Sequence, residues 1–440
     1  MRPVLLTLAS IASALRISPI CRTTTIRCCL PPALRNADAV DIAIIGGGPC
    51  GLATAIALSK APCLKDRTIA IYEKDGFKPK GASIQISSAG WQALKAMDLK
   101  VSKDIKATGT PVAGVRITSF TGEDRTPLPF KLVGGVIRFM RKFLRLRRLA
   151  LTKTHLWHDV RDALRRRARD RLGNGALQSG HELTSLVEHP EHVALKFSAS
   201  SIDGTSEART VDVCAKIVLA CDGTRSTVRA LSPEPSRLLD EGKSVWRGIA
   251  ETVDCDGQAT FYQGDSGESG LIFPAGLGHG SSWTVIAPAV DGRSATNEDA
   301  QRRLAAALPD ETDPPLLQVI AASPRIIENK LVTRDFSQPW TSDVARVAYL
   351  GDAAHPLRPT GEGTALAFED AWTIGHLAAT SAGLEPATLR KFEEARRKRV
   401  RAVSEAVKAA ANRFYQSDSA ISVTTPAAAM KAHPMRFQAL

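Results

Sequence analysis

Residues 41–58 read DIAIIGGGPCGLATAIAL. Ile42 to Ile45 is an apolar run of strand length, Gly46-x-Gly48-x-x-Gly51 is a turn, and residues 52–58 place small apolar side chains at helical spacing. A second apolar run, TIAIYE at 68–73, ends on the acid Glu73, 22 residues beyond Gly51. Strand, helix and strand make one βαβ unit. In such a unit the first glycine permits the tight turn, the second lets backbone approach a pyrophosphate, and the third packs helix against strand. The helix N-terminus offers unpaired N–H groups to a diphosphate, and Glu73 is placed to accept both hydroxyls of an adenosine ribose. This is a dinucleotide site. The turn alone does not choose between NAD and FAD.

Further along the chain, residues 81–99 give a short strand and a helix carrying Trp91, Leu94 and Met97. A helical wheel over 136–148 gathers Arg138, Arg141, Lys142, Arg145 and Arg148 on one arc, and Val136, Phe139, Met140, Phe143 and Leu146 on the other. Two readings stand for this basic amphipathic helix: attachment to an anionic membrane face, or a surface helix packing its apolar side on its own domain. The second is the default, because any half-buried helix shows such a pattern. A further helix is expected from His155 to Leu172, then a pair of strands near 182–198. The Gly-interrupted alternation of 240–290, as in GLIFPAGLGHGSSWTVIAP at 270–288, suits an antiparallel sheet. A charged helix over 389–414 closes the ordered chain.

Two distant segments repeat a pattern of apolar strand followed by Gly and Asp. They are CDGTRSTVR at 221–229 and GDAAHPLRPTGEGTALAFEDA at 351–371. With the first turn they stand in the order seen in the single-component FAD-dependent monooxygenases, and the chain resembles these flavoprotein aromatic hydroxylases, of salicylate-hydroxylase-like type, from residue 39 to about 400. The resemblance implies an α/β protein: a discontinuous, glutathione-reductase-like FAD-binding domain of Rossmann type at 38–240 and 336–384, and an inserted substrate-domain sheet at 241–335. A C-terminal helix at 385–415 and a tail at 416–440 follow.

It also implies roles. Gly46, Gly48, Gly51 and Glu73 match the ADP-binding motif, and Asp222 and Gly223 match the motif assigned to FAD and to passage of reduced nicotinamide. Gly351 and Asp352 match the turn whose acid holds the ribityl hydroxyls, while Pro359, Gly361 and Gly363 match the loop beside the isoalloxazine ring. There the N-terminus of the helix beginning near Thr364 would stabilise negative charge on reduced flavin. The chain departs from the family in having one residue fewer between Pro359 and Gly361, Glu362 in place of Gln, and Trp157 where an Arg is usual, with Arg161 one turn on. His355 is expected to hydrogen-bond locally at its turn, and no catalytic acid or base is assigned.

The activity implied is oxygen transfer from a flavin hydroperoxide, with NAD(P)H as transient reductant and O2 as co-substrate, to hydroxylate or epoxidise a small aromatic or apolar molecule. Substrate contacts are expected from the 240–290 sheet, whose candidates are Trp246, Arg247, Phe261, Tyr262, Phe273 and Trp283, although aromatics on sheets usually pack as core. The alternatives are a flavin-dependent reductase or halogenase on the same fold, or a non-catalytic FAD-bound protein docked on a membrane. Ser282 to Pro288 lacks the WxWxIP expected of a halogenase.

Composition agrees with an enzyme: 440 residues, 44% apolar and 23% charged. The net charge of +13 is concentrated, with +5 in residues 1–35 and +11 in residues 131–171. With 5% aromatics, the basic residues lack the interleaved stacking partners of a nucleic-acid surface. Of the eight cysteines, Cys21, Cys28 and Cys29 fall in the N-terminal segment; none of the other five forms a CxxC and they read as buried free thiols, and the nine histidines show no ligand spacing for a metal. Residues 1–37 are rich in Arg, Ser and Thr and lack acids, the composition of a transit peptide. A short apolar run ending Ala12-Ser13-Ala14 adds signal character, so a plastid is expected ahead of a mitochondrion.

Overall fold

The computed structural model describes residues 38–416 and 440, apart from 80, 144–151, 201–206, 234–235, 265–266, 291, 293, 295, 360 and 382. The expected leader and the tail beyond 416, Leu440 excepted, lie outside the described residues.

β1 (Asp38–Ile45) enters the glycine turn and leaves as α1 (Pro49–Leu58), and β2 (Ile69–Glu73) follows. Next come β3 (Ser83–Gln85), α2 (Ser88–Met97), α3 (Leu99–Ala107), β4 (Thr110–Val112), β5 (Gly114–Ser119) and α4 (Leu128–Phe143). β6 (Thr152–Leu156) runs into α5 (Trp157–Leu172), then β7 (Leu177–Ser179), β8 (His181–Glu188), β9 (Val193–Ala199), β10 (Arg209–Ala220) and the single turn α6 (Thr227–Ala230). The second sheet is supplied mainly by β11 (Leu238–Ala250), β12 (Gln258–Gln263), β13 (Ser269–Pro274) and β14 (Ser281–Pro288), then α7 (Asn297–Ala307), α8 (Pro314–Ala321) and β15 (Ile326–Arg334). β16 (Val347–Tyr349), α9 (Gly363–Thr380) and α10 (Pro386–Gln416) complete the chain.

One sheet has the order β7-β2-β1-β10-β9-β8, with β16 also on β10. β7, β2, β1, β10 and β16 are mutually parallel. The length of β10 lets it serve two partners along one edge: residues 209–215 pair antiparallel with β9, and 218–220 pair parallel with β16. α1 is buried at all ten positions between this sheet and α9, which is why its sequence is apolar all round. The helices approach so closely that a Cβ at Gly375 would lie 2.7 Å from the Ala57 Cβ.

The second sheet runs β15-β11-β14-β13-β12-β5, antiparallel except where β12 meets β5. Its period-two alternation separates two faces. On one, Trp246, Tyr262 and Trp283 are fully buried against α7 and α8, each large side chain contributing about 1.5–3 kcal/mol by burial. The Trp283 indole donates to Ser323 Oγ at 2.7 Å and the Tyr262 hydroxyl to Asp313 Oδ2 at 2.8 Å, so these aromatics are core. Phe273 is also buried, in a small cluster with Val112 and Ala259. The opposite face carries Arg247, Ile249, Phe261, Leu271 and Thr284, all half-buried.

The expected parallel sheet, antiparallel sheet and C-terminal helix are present. Two local readings are corrected. His155 belongs to β6 and not to the following helix, because it sits in the small β3-β6-β4 sheet opposite Ile84. The basic helix begins at Leu128, eight residues earlier than expected, and its end beyond 143 lies outside the described residues. It docks on β5 with Gly134 and Ile137 buried, and Val136 and Phe139 are exposed instead of packed.

Candidate cofactor and substrate site

The ends of four parallel strands meet at one edge. β1 delivers the Gly46–Gly51 turn, β2 delivers Glu73, β10 delivers Asp222, and β16 delivers Gly351-Asp352. The carboxyl ends of parallel strands are where ligands bind in such sheets.

In the first turn, Gly46 has φ +108° and a Cβ there would sit 2.5 Å from the Cys221 carbonyl oxygen; one at Gly51 would sit 2.0 Å from the Gly46 oxygen. The chain itself demands both glycines. Gly48 differs: φ is −78°, and the only atom near a Cβ would be Trp157 Cζ2 at 3.9 Å. Neither backbone nor packing requires glycine there. The Glu73 carboxylate accepts from Gly47 N (2.7 Å) and Asp75 N (3.0 Å), so it also holds the turn together.

Trp157, where the family has Arg, packs on Gly81 beside this turn. Beneath it Arg161 is 1% exposed, donates to the Lys78 carbonyl at 2.6 Å, and lies 4.9 Å from the Trp157 ring and 5.2 Å from Phe77. Burial lowers its pKa, and its Nε has no hydrogen-bond partner. Arg161 is therefore a support for the indole.

The two Gly/Asp segments join directly. Thr224 Oγ1 donates to Asp352 Oδ2 at 3.1 Å. Arg229, at the end of CDGTRSTVR, is buried, donates to the Ala353 carbonyl at 2.6 Å and stands 3.8 Å over the Tyr349 ring. Burial pulls its pKa down to about 10. Asp222 Oδ2 accepts from Val228 N at 3.0 Å while Oδ1 is buried without a partner. Burial pushes its carboxyl up, against hydrogen bonds from Ser226 and nearby backbone.

Asp352 is exposed, yet protein crowds it closely enough for desolvation to push its pKa up. Exposure together with crowding describes a carboxylate on the floor of an open cleft. Arg247, on the half-buried face of β11, is near enough to feel this carboxylate: burial lowers its pKa and the charge of Asp352 opposes this. It makes no hydrogen bond or ion pair among the described residues. Gly223, Gly351 and Gly361 all lie at positive φ, and Pro359 is exposed. Gly363 is the first residue of α9, 3.8 Å from Asp352 Oδ1 to its would-be Cβ. Glu362 beside it is nearly buried, burial raises its carboxyl pKa, and its Oε2 is unpartnered.

A family model for the FAD binding domain matches residues 39–407. The chain belongs to the FAD-dependent monooxygenases of this family. Among relatives, this flavoprotein is 27% identical to 3-amino-4-hydroxybenzoate 2-monooxygenase PtmB3 of Streptomyces platensis, over 86% of this chain and 89% of that one. It is 25% identical to chloroplastic zeaxanthin epoxidase of Nicotiana plumbaginifolia, over 76% of this chain and 48% of that one. Its fold matches the crystal structure of Klebsiella pneumoniae HpxO complexed with FAD and uric acid, at TM-score 0.65 and 20% identity, covering 89% and 93% of the two chains. The cofactor of the flavoprotein is FAD.

Two features of the site were not legible in the sequence. Arg229 and Thr224 stand inside a quoted motif, but only the fold shows that they tie it to the other. The buried set behind the Gly351 turn was also missed: Asp370 and Glu369 on α9 with Arg396 and Arg399 on α10. Its sequence signal is two adjacent acids on one helix with basic residues three apart on the next. His355 does bond at its turn, through Nε2 to Asp370 Oδ2 at 2.6 Å.

Proposed function

We propose that Gly46, Gly48, Gly51 and Glu73 hold the ADP half of FAD, that Asp222 and Gly223 flank its middle, and that Gly351, Asp352, Pro359, Gly361 and Gly363 hold the ribityl chain and ring. The enzyme then uses NAD(P)H and O2 to hydroxylate or epoxidise a small aromatic or otherwise apolar substrate. One observation carries the reading: motifs some 300 residues apart in sequence converge at the ends of four parallel strands. The cradle fits the cofactor, since Gly48 and Gly363 leave open the space that a side chain would fill, without any demand from the chain itself.

When bound, FAD supplies hydride acceptance from the nicotinamide and activation of oxygen. The protein supplies the rest. N–H groups at the start of α1 would face the diphosphate, and those at the start of α9 would favour negative charge beside the ring. The Asp352 carboxylate would accept from ribityl hydroxyls. Arg247, which has no hydrogen-bond or ion-pair partner among the described residues and shares a half-buried face with Ile249, Leu271, Phe261 and Thr284, suits a flat substrate bearing an ionisable or strongly polar oxygen. Its charge would hold the deprotonated form of that oxygen, which makes an aromatic ring electron-rich. The residues 1–37, by composition, are proposed to direct the chain to a plastid; fusion of this segment to a fluorescent protein tests it.

The reaction is tested by oxygen uptake and NAD(P)H oxidation of the FAD-loaded chain with and without a panel of phenolic and isoprenoid compounds. Substrate-stimulated consumption of both, with an oxygenated product, is expected. Product formation without oxygen consumption would replace this reading with a reductase.

A further inference from the structure

α4 exposes an apolar stripe. Leu128, Leu132, Val136 and Phe139 recur at intervals of four, four and three residues, which places them along one side of the helix, and they are 66%, 61%, 58% and 55% exposed. Val133 beside them is 48% exposed. These five make up nearly half of the large exposed hydrophobics among the described residues, and the others are scattered singly over several elements. Scattered exposure is ordinary, whereas a contiguous stripe marks a surface that something covers. The inward side, Gly134 and Ile137, already docks on β5, so the stripe cannot turn inward without undocking the helix.

The charge of the same stretch of sequence chooses the occupant. Residues 131–150 carry seven lysines and arginines and no acid. A second copy of the chain laid stripe to stripe would oppose two such segments. The chain's own residues 1–37 hold five arginines and no acid, so they offer no negative charge. An anionic lipid surface satisfies both features at once, since it takes apolar side chains below the headgroups and cations at their level. We propose that α4 seats this enzyme on an anionic bilayer, lying in the interface with Leu128, Leu132, Val136 and Phe139 toward the acyl chains. The proposal stands on α4 alone and does not depend on the reaction assigned to the cleft.

The test is sedimentation of the full FAD-loaded chain with vesicles of phosphatidylcholine, alone or mixed with phosphatidylglycerol. Two double variants accompany it, Leu132→Asp with Val136→Asp, and Arg141→Glu with Lys142→Glu. Flavin absorbance reports that each variant is folded and loaded. The unaltered chain should partition to the anionic vesicles at least tenfold more than to neutral ones, and each variant should lose at least tenfold of that partition. Absence of vesicle binding, equal binding to both compositions, or binding that survives both variants would overturn the proposal. So would a dimer in light scattering that the aspartate variant dissociates while vesicle binding is absent.

Discussion

Arg396 Nε lies 2.6 Å from Asp370 Oδ1, and neither side chain exposes any surface. The other Asp370 oxygen accepts from Gly351 N at 2.8 Å and meets His355 Nε2 at 2.6 Å. Arg396 also donates to Glu369 at 2.8 Å, and Arg399 joins the same acid. The C-terminal helix thus grips, through α9, the turn that presents Asp352. Removing one partner from such a buried set leaves charge uncompensated, at a cost of about 3–5 kcal/mol. Arg396→Met is expected to lose about that much in urea unfolding and to release FAD more readily, as read by recovery of free-flavin fluorescence.

The glycines of the first turn separate fold from cofactor. Gly51→Ala would press a methyl against the Gly46 oxygen and should yield little folded protein. Gly48→Ala meets only Trp157 at 3.9 Å and adopts its backbone angles freely, so its apoprotein should melt as the unaltered apoprotein does. Its FAD affinity should nevertheless fall at least tenfold, about 1.4 kcal/mol. Melting of the apoprotein and fluorescence titration with FAD measure the two effects apart.

His155 gives a pH dependence of known sign. It is fully buried, and burial, with the nearby Lys153, lowers its pKa to about 4. Above pH 6.5 the ring is neutral in both folded and unfolded chains and contributes no slope. Between pH 6.5 and 4 the unfolded chain binds a proton that the folded chain refuses, so stability falls as pH falls, by about 3 kcal/mol across the window. His155→Gln should flatten the unfolding free energy against pH in this interval, whatever it does to absolute stability.

Arg247 should act on substrate and not on FAD. Hydrogen bonds to a charged group contribute about 1.5–3 kcal/mol, so Arg247→Gln is expected to raise KM at least tenfold for any polar aromatic that supports turnover. FAD affinity should change little, and Arg247→Lys should recover part of the loss. Steady-state kinetics beside a flavin titration check both.

The sequence made legible what depends on local backbone. Gly46, Gly51 and the two Gly/Asp turns advertise themselves because a tight turn at a strand end admits few residue types. The parallel and antiparallel sheets were readable from apolar runs and from alternation. What stayed hidden depends on pairing across long separations: Thr224 with Asp352, Arg229 with the Ala353 carbonyl, and Arg396 with Asp370 bring together side chains whose sequence neighbourhoods are silent about each other. The side on which α4 packs was hidden for a related reason. Its wheel carries apolar residues on more than one arc, and docking on β5 selected Gly134 and Ile137, the smaller contact, leaving the larger side chains outside.

In the proposed function, this cleft holds FAD to place an atom of oxygen in an organic substrate. The most direct measurement is mass spectrometry of the product formed by the FAD-loaded enzyme with NAD(P)H under ¹⁸O₂ in unlabelled water. One ¹⁸O atom per product molecule is the result predicted. Product whose new oxygen is unlabelled, or product formed equally well without oxygen, would contradict it.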